Sequence, residues 1–280
     1  MSASFIRIFL AECFTGDNIN EQFFIFDIGA YKGEFAEQFV EKNINSIIYS
    51  FEPDKNSYTA LSEKYKKNSF IYNLAISNYE GQKKFYQQKK GYRSSLLKDN
   101  YSEEDTEIID VKVTTFDHFM NQEKIEIREN SKIIFKTDTQ GNDLNVLKGA
   151  ESFLKKYKPI IITEVIFQPL YDSQCHYLDI LNFLFSIGYE LVYIDGTHLN
   201  TDEKISYSDY YFQIKEDSKS DKANSSFHLH IEESVNKELE MYKTAAKERL
   251  DLIQRLDQEC NDRLKVIEWQ QKEIEKLKSK

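Results

Sequence analysis

Residues 23–33 read FFIFDIGAYKG, and further on the chain reads SFEP at 50–53. A short apolar run ends in an acidic residue and a glycine. The pattern then changes from strand-like to helix-like. Gly29 permits a tight turn and close approach of backbone, and Gly33 opens a helix whose free N–H groups attract an anion. An apolar strand, a glycine turn and an amphipathic helix are the opening unit of an α/β sheet.

The same alternation continues outward from that unit. Residues 23–27 form a first strand and 34–41 a helix. Residues 46–51 (SIIYSF) form a second strand, 55–67 a helix and 70–74 a third strand. Residues 132–136 (KIIFK) and 160–165 (IIITEV) are further strands, each followed by a helix, over 143–154 and 177–186. Residues 190–194 and 210–214 complete the set. Strands this apolar and β-branched, alternating with helices, predict an α/β fold with a mostly parallel sheet covered on both faces. Ligands in such sheets bind at the carboxyl ends of the strands.

The strand ends carry the candidate chemistry. The turn reads DxGxxxG rather than GxGxxG, and Asp27 at the strand end would repel a pyrophosphate. It suits a cationic group instead, such as the ammonium or sulfonium end of S-adenosylmethionine. Glu52 stands 19 residues beyond Gly33 at the second strand's tip, where a carboxylate accepts hydrogen bonds from ribose hydroxyls. Pro53 stops that strand. Asn73, leaving the third strand, can face an adenine edge or be an ordinary polar strand end. The candidate cofactor positions are Asp27, Gly29, Ala30, Tyr31, Gly33, Glu52, Pro53, Asn73 and Ala75.

Beyond the fourth strand, KTDTQGNDL (136–144) places Asp138 and Asp143 on either side of a glycine turn. Asp138 leaves the strand toward the crevice, as a general base or a divalent-metal ligand. Asp143 is equally a helix-start residue. Glu164 lies inside the apolar fifth strand, where a carboxylate is costly unless paired or functional. Asp138 and Glu164 stand on neighbouring strands and can share a substrate hydroxyl or, in a metal-dependent enzyme, a magnesium ion. The five histidines show no metal spacing. His176, after the turn at 169–171, is a second candidate base.

Composition sets the frame. The 280 residues carry 37 basic and 47 acidic side chains, a net charge of −10, which disfavours nucleic acid as a partner. Three scattered cysteines without a CxxC pair indicate neither disulfides nor a zinc knuckle, so a reducing, cytoplasmic setting is expected. No stretch has the length and apolarity of a transmembrane segment. All nine glycines lie at or before Gly196 and all three prolines at or before Pro169. Residues 216–230 are a polar linker. From 231 to 280 the chain is 46% charged, with an apolar heptad set at Leu239, Ala246, Ile253, Cys260, Ile267 and Ile274. That pattern predicts a coiled-coil helix and a homo-oligomer built through it. The segment 1–22 is expected to pack on the domain at 23–215.

These motifs together resemble the FkbM-type S-adenosylmethionine-dependent methyltransferases. The resemblance covers about residues 23–215. It is carried by FDIGAYKG (26–33), SFEP (50–53), NLAISNYEG (73–81), SSLL (94–97), VTTFD (113–117), FKTDTQGNDLNVLKGA (135–150), TEVIFQPLY (163–171) and FLFSIGYELVYID (183–195). It implies a Rossmann-like seven-stranded methyltransferase sheet with one antiparallel strand. It also implies methyl transfer from S-adenosylmethionine, most often to an oxygen of a sugar or secondary metabolite. By position, Asp27, Gly29, Gly33 and Glu52 would hold the cofactor, and Asp138 and Glu164 would lie at the transfer site. The family usually has Asn where Tyr31 stands and Glu where Asp143 stands.

The leading expectation is an O-methyltransferase acting on a hydroxyl of a saccharide, glycolipid or secondary-metabolite precursor, working beside glycan-assembly enzymes. Asp138 or His176 serves as base, and Glu164 orients the substrate. Two alternatives stand beside it: a non-catalytic cofactor-binding module that assembles through the coiled coil, and a nucleic-acid methyltransferase. The second is disfavoured by the acidic charge and by the lack of a Pro-Pro motif. Residues 83–107 are expected to form acceptor loops, with Phe85, Tyr86, Tyr92 and Arg93 among them.

Overall fold

The structure is a computed structural model that describes residues 22–41, 44–65, 68–88, 93–100, 106–128, 131–199 and 205–215. The predicted coiled coil at 231–280, the linker at 216–230 and residues 1–21 of the N-terminal segment lie outside the described residues.

Seven strands form one sheet. They are β1 (Phe23–Ile28), β2 (Ser46–Phe51), β3 (Ser69–Tyr72), β7 (Lys132–Thr137), β8 (Ile160–Ile166), β9 (Tyr189–Leu199) and β10 (Ile205–Ile214). Their order is β3-β2-β1-β7-β8-β10-β9. Pairing is parallel from β3 to β8, and β10 runs antiparallel to both of its neighbours. This is the mostly parallel α/β sheet expected, with one antiparallel strand. Chain reversal between β1 and β7 makes the central crevice, because β2 and β3 go one way and β7 and β8 the other.

Every residue of β1 is buried, which explains why its sequence is continuously apolar apart from Asp27. Phe26 stacks on Tyr49 at 5.2 Å between ring centres and meets Phe116 and Phe153 edge-on at 5.1 and 5.2 Å. Such aromatic pairs add to the burial energy of the rings themselves. Phe116 belongs to α3 (Phe116–Glu123), which Thr115 caps by accepting the His118 N–H at 3.1 Å. Phe153 belongs to α5 (Glu151–Tyr157). On the β2 side, α1 (Glu34–Glu41) follows the glycine turn, and α2 (Lys55–Lys64) is capped by Asp54, which accepts the Ser57 N–H at 2.7 Å.

Three local expectations are corrected. Residues 83–107 are not simply loop. β5 (Gly81–Gln88) and β6 (Thr106–Thr114) pair antiparallel, and β4 (Ala75–Ile76) joins β6 to make a second, three-stranded sheet. Only Phe85 of β5 is fully buried, so that strand carries little apolar signal. The helix expected over 143–154 is two: α4 (Asp143–Gly149) and α5. The break falls where Gly149 passes so near the Ser77 carbonyl that a Cβ would sit 2.0 Å from it. The last two strands are longer than expected, because the β9–β10 pairing runs on through polar residues such as Asp195 and Asp209, with register shifts on the way. The helix at 177–186, here α6 (Tyr177–Ser186), stands as expected. Among the described residues, no helix is long and apolar enough to cross a membrane.

Candidate active site

A cavity of about 630 Å³ opens over the carboxyl ends of β1, β2, β7 and β8 and the start of β10. At one end lies the glycine turn. Gly29 has a φ of +77°, and a Cβ there would lie 2.0 Å from the Asp138 carbonyl oxygen. The neighbouring strand tip therefore passes where only a glycine leaves room. The N–H groups of Gly29 and Ala30 both donate to the Phe51 carbonyl, at 3.0 and 3.1 Å, tying the turn to the end of β2.

Glu52 sits beside that turn and is 5% exposed. One carboxylate oxygen accepts the Tyr31 N–H at 2.7 Å and the other accepts the Asp54 N–H at 2.8 Å. Burial pushes its carboxyl up to about 7, with the two backbone N–H groups pulling the other way. Ala30, Tyr31, Pro53 and Ala75 also line this end. Tyr31 holds a φ of +47°, in the left-handed region that favours glycine and asparagine.

Three expected cofactor positions do different work. Gly33 does not line the cavity. Its φ is +79°, and a Cβ there would press on Leu61 and Tyr65, so it serves the packing of α1 on α2. Asn73 turns its amide to the Glu52 and Pro53 carbonyls, 2.9 Å to each, and so shapes the β2 tip from behind. Asp27 is fully buried and faces Lys136 rather than the cavity, with 3.2 Å between charges. Neither Asp27 oxygen meets a donor in hydrogen-bond geometry, so the Lys136 charge is what compensates this carboxylate. Burial still holds the Asp27 carboxyl above its ordinary value, against the pull of Lys136.

The other end of the cavity carries Asp138, Gln140, Glu164 and Asp209. The amide nitrogen of Gln140 donates to Asp138 at 2.9 Å and to Glu164 at 3.0 Å, while its carbonyl accepts the Tyr171 hydroxyl at 2.6 Å. The second Asp138 oxygen lies 3.5 Å from Lys136 Nζ, which also donates to the Gly29 carbonyl at 3.1 Å. Asp209 pairs in register with Glu164 across β10 and β8. Burial, then the charge of Asp138, raises the Glu164 carboxyl well above its ordinary value and pushes Asp209 up to about 7.

The loop between β7 and α4 owes its shape to Asp143. This buried carboxylate accepts from Thr137 Oγ1 at 2.7 Å, from Thr139 N at 2.9 Å, from Thr139 Oγ1 at 3.0 Å and from Gly141 N at 3.3 Å. It folds the turn and does not reach the cavity.

Asp138 and Glu164 thus come together as expected, and His176 does not join them. His176 is the N-cap of α6, where Nδ1 accepts the Leu178 N–H at 3.3 Å in a capping box with Asp179. A ring nitrogen engaged on a helix end outside the cavity is no base for the site. Nothing in the donor set supports the magnesium reading. The Gln140 amide points its hydrogens at both carboxylates, and among the described residues no three His, Cys, Asp or Glu side chains cluster to hold a metal.

Lys136, Gln140, Tyr171 and Asp209 are site residues that sequence reasoning passed over. Lys136 carried the same signal that exposed Glu164: a charge within an otherwise apolar strand, here KIIFK. Asp209, a single carboxylate among the aromatics of SYSDYYF, carried it too. Gln140 and Tyr171 gave no such signal, since both residue types are ordinary in loops.

The methyltransferase FkbM domain model matches residues 27–191, more than half of the chain. Methyltransferase FkbM from Methylobacillus flagellatus KT is 17% identical, with a TM-score of 0.43, over 69% of this chain and 44% of that one. The chain thus spans less than half the length of that relative. Aeropyrum pernix fibrillarin in complex with S-adenosyl-L-methionine is 11% identical, with a TM-score of 0.39, over 74% of this chain and 73% of that one. Precorrin-6y C5,15-methyltransferase from Geobacter metallireducens GS-15 is 10% identical, with a TM-score of 0.39, over 75% and 87%. No curated protein matches the chain. The match of the domain model across the glycine turn, the Glu52 tip and the Asp138 loop shows that the chain belongs to the FkbM methyltransferase family.

Proposed function

We propose that the protein is an S-adenosylmethionine-dependent O-methyltransferase whose acceptor is a hydroxyl of a saccharide, or of a glycolipid or secondary-metabolite precursor. The observation that carries this reading is that one cavity runs from the Gly29 turn and Glu52 to Asp138 and Glu164. The first end fits an adenosyl group. Gly29 leaves space for close approach, and the Glu52 carboxylate, pinned by two backbone N–H groups, retains lone pairs for ribose hydroxyls. Ala30, Pro53 and Ala75 would form its apolar walls. Bound there, S-adenosylmethionine supplies a methyl group on a sulfonium, which is a good electrophile in water at neutral pH.

What the chain itself contributes is placement and proton removal. Asp138 stands at the tip of β7 beside Lys136, and its carboxylate is placed to take the proton of an acceptor hydroxyl. Glu164 and Asp209 offer further polar groups for neighbouring hydroxyls. Tyr207 and His198 stack at 4.3 Å and line the same cavity, giving an aromatic face of the kind that sugar rings lie on.

Calorimetry with S-adenosylmethionine and a labelled-methyl screen over a glycan panel test the reading together. Binding with transfer to a sugar hydroxyl supports it. Binding with no transfer to any glycan, but with transfer to RNA or protein, overturns the acceptor class. Asp138→Asn should lower turnover by about 10²- to 10⁴-fold while leaving cofactor affinity within a few-fold. Unchanged turnover removes Asp138 from the role of base.

A further inference from the structure

We infer that Gln140 is a positioning residue that makes Asp138 and Glu164 a paired receptor for two neighbouring hydroxyls of one acceptor molecule. The inference rests on the hydroxyl-methylation reading above and narrows its substrate class to vicinal diols.

The side chain of Gln140 is held at both ends. Tyr171, 2% exposed, donates its hydroxyl to the amide oxygen at 2.6 Å, which fixes the amide orientation. The amide nitrogen must then face the carboxylates, and it donates one hydrogen to each. Only a carboxamide can accept on one side and donate twice on the other.

The backbone of Gln140 is held as firmly. Its φ is +56°, a strained value for a side chain of this size. Ser95 Oγ donates to the Gln140 carbonyl at 2.7 Å and to the Thr139 carbonyl at 3.2 Å. Asp143 gathers the surrounding turn. Gly141 lets the Tyr171 ring in, since a Cβ there would lie 2.9 Å from ring atom Cδ2. Three separate segments thus converge to place one amide group. Strain maintained by so many contacts collects at functional sites.

The consequence is a defined pair of acceptors. Asp138 gives one oxygen to Gln140 and turns the other toward Lys136 at 3.5 Å. Glu164 gives Oε2 to Gln140. Each carboxylate oxygen has two lone-pair sites, so each group can still accept from a ligand hydroxyl. Because one nitrogen is bonded to both, these sites lie side by side, as the oxygens of a 1,2-diol do. A lone alcohol would use one of them and gain only one of the two hydrogen bonds open to a diol.

The test uses the full chain, methyl-labelled S-adenosylmethionine and a panel of methyl glycosides, each with its deoxy counterpart lacking the hydroxyl next to the methylated one. Wild type should show a KM at least tenfold higher for the deoxy compound, with a smaller change in kcat. Gln140→Asn keeps the amide and tolerates the backbone angle but shortens the reach by one methylene. It should erase that tenfold preference while S-adenosylmethionine affinity stays within threefold. Retention of the preference in Gln140→Asn, or its absence in wild type, overturns the inference. If no glycoside is methylated, the saccharide-acceptor reading has failed, and amide NMR still decides the positioning role. The Gln140 side-chain N–H protons should exchange with water at least tenfold faster in Tyr171→Phe than in wild type. Equal exchange rates reject the role.

Discussion

The Lys136 ammonium lies 3.2 Å from the Asp27 carboxylate across two adjacent parallel strands, and both side chains are buried. It also reaches the Gly29 carbonyl and the second oxygen of Asp138, so one charge ties the β1 tip to the β7 tip. Burial alone would lower the Lys136 ammonium. The charges of Asp27 and Asp138 outweigh it and hold the group above its ordinary value, charged at every working pH.

Lys136→Met should therefore destabilise the domain by about 3–5 kcal/mol, because it strands the Asp27 carboxylate without compensation. Adding Asp27→Asn should recover much of that loss. Urea unfolding of the two variants checks both statements. A loss below about 1 kcal/mol for Lys136→Met contradicts the ion-pair account.

Two glycines with positive φ should respond very differently to alanine. At Gly29 the new Cβ would sit 2.0 Å from the Asp138 carbonyl, and backbone cannot move aside cheaply. Gly81 has a φ of +141° but nothing within 4 Å. Gly81→Ala should cost about 1–2 kcal/mol from backbone strain alone, and Gly29→Ala more than about 4 kcal/mol, with loss of S-adenosylmethionine binding. Similar melting temperatures for the two variants contradict this.

The parts of this fold that were legible in the sequence are those where burial is two-sided. FFIFDI, SIIYSF and IIITEV read as strands because a central parallel strand hides both faces and can be apolar throughout. β5 was not legible, since a strand with one solvated face and one buried Phe looks like a polar loop. Glu52, Asp138 and Glu164 were legible as charges at strand ends or within apolar runs. Tyr171 and Gln140 were not, because their importance lies in one hydrogen bond between residues 31 positions apart. Asp27 misled for a related reason. The acidic residue before the glycine turn is conspicuous, but its partner Lys136 stands on the neighbouring strand, more than a hundred positions away.

Cofactor affinity should rise with pH through neutrality, whereas the stability of the free domain should fall. Burial raises the Glu52 carboxyl from 4.5 to about 7. Between those values the unfolded chain releases a proton that the folded chain keeps, so rising pH favours unfolding and the loss levels off above 7. The raised carboxyls of Asp27, Asp143, Glu164 and Asp209 act in the same direction. In the proposed function, ionised Glu52 is the form that would accept from ribose hydroxyls, so S-adenosylmethionine should bind about tenfold more weakly at pH 6 than at pH 8. Calorimetry at the two pH values, with Glu52→Gln expected to abolish the difference, decides the matter. Equal wild-type affinities contradict the role given to Glu52.

Tyr31→Asn should stabilise the protein. Tyr31 holds a φ of +47°, where a bulky side chain crowds the following carbonyl and asparagine is tolerated. The contact with Glu52 at this position is made by the backbone, whose N–H donates at 2.7 Å and is retained in the variant. The ring's own neighbour is the exposed Lys32 ammonium, 5.0 Å from its centre, a contact of small energy at a surface. Relief of the backbone strain should thus outweigh the lost ring contact. The gain should be about 0.5–1 kcal/mol, or roughly 2–4 °C in melting temperature per kcal/mol for a domain of this size. S-adenosylmethionine affinity should remain within threefold. A lower melting temperature would mean that the tyrosine ring, and not only its backbone, supports the cofactor turn.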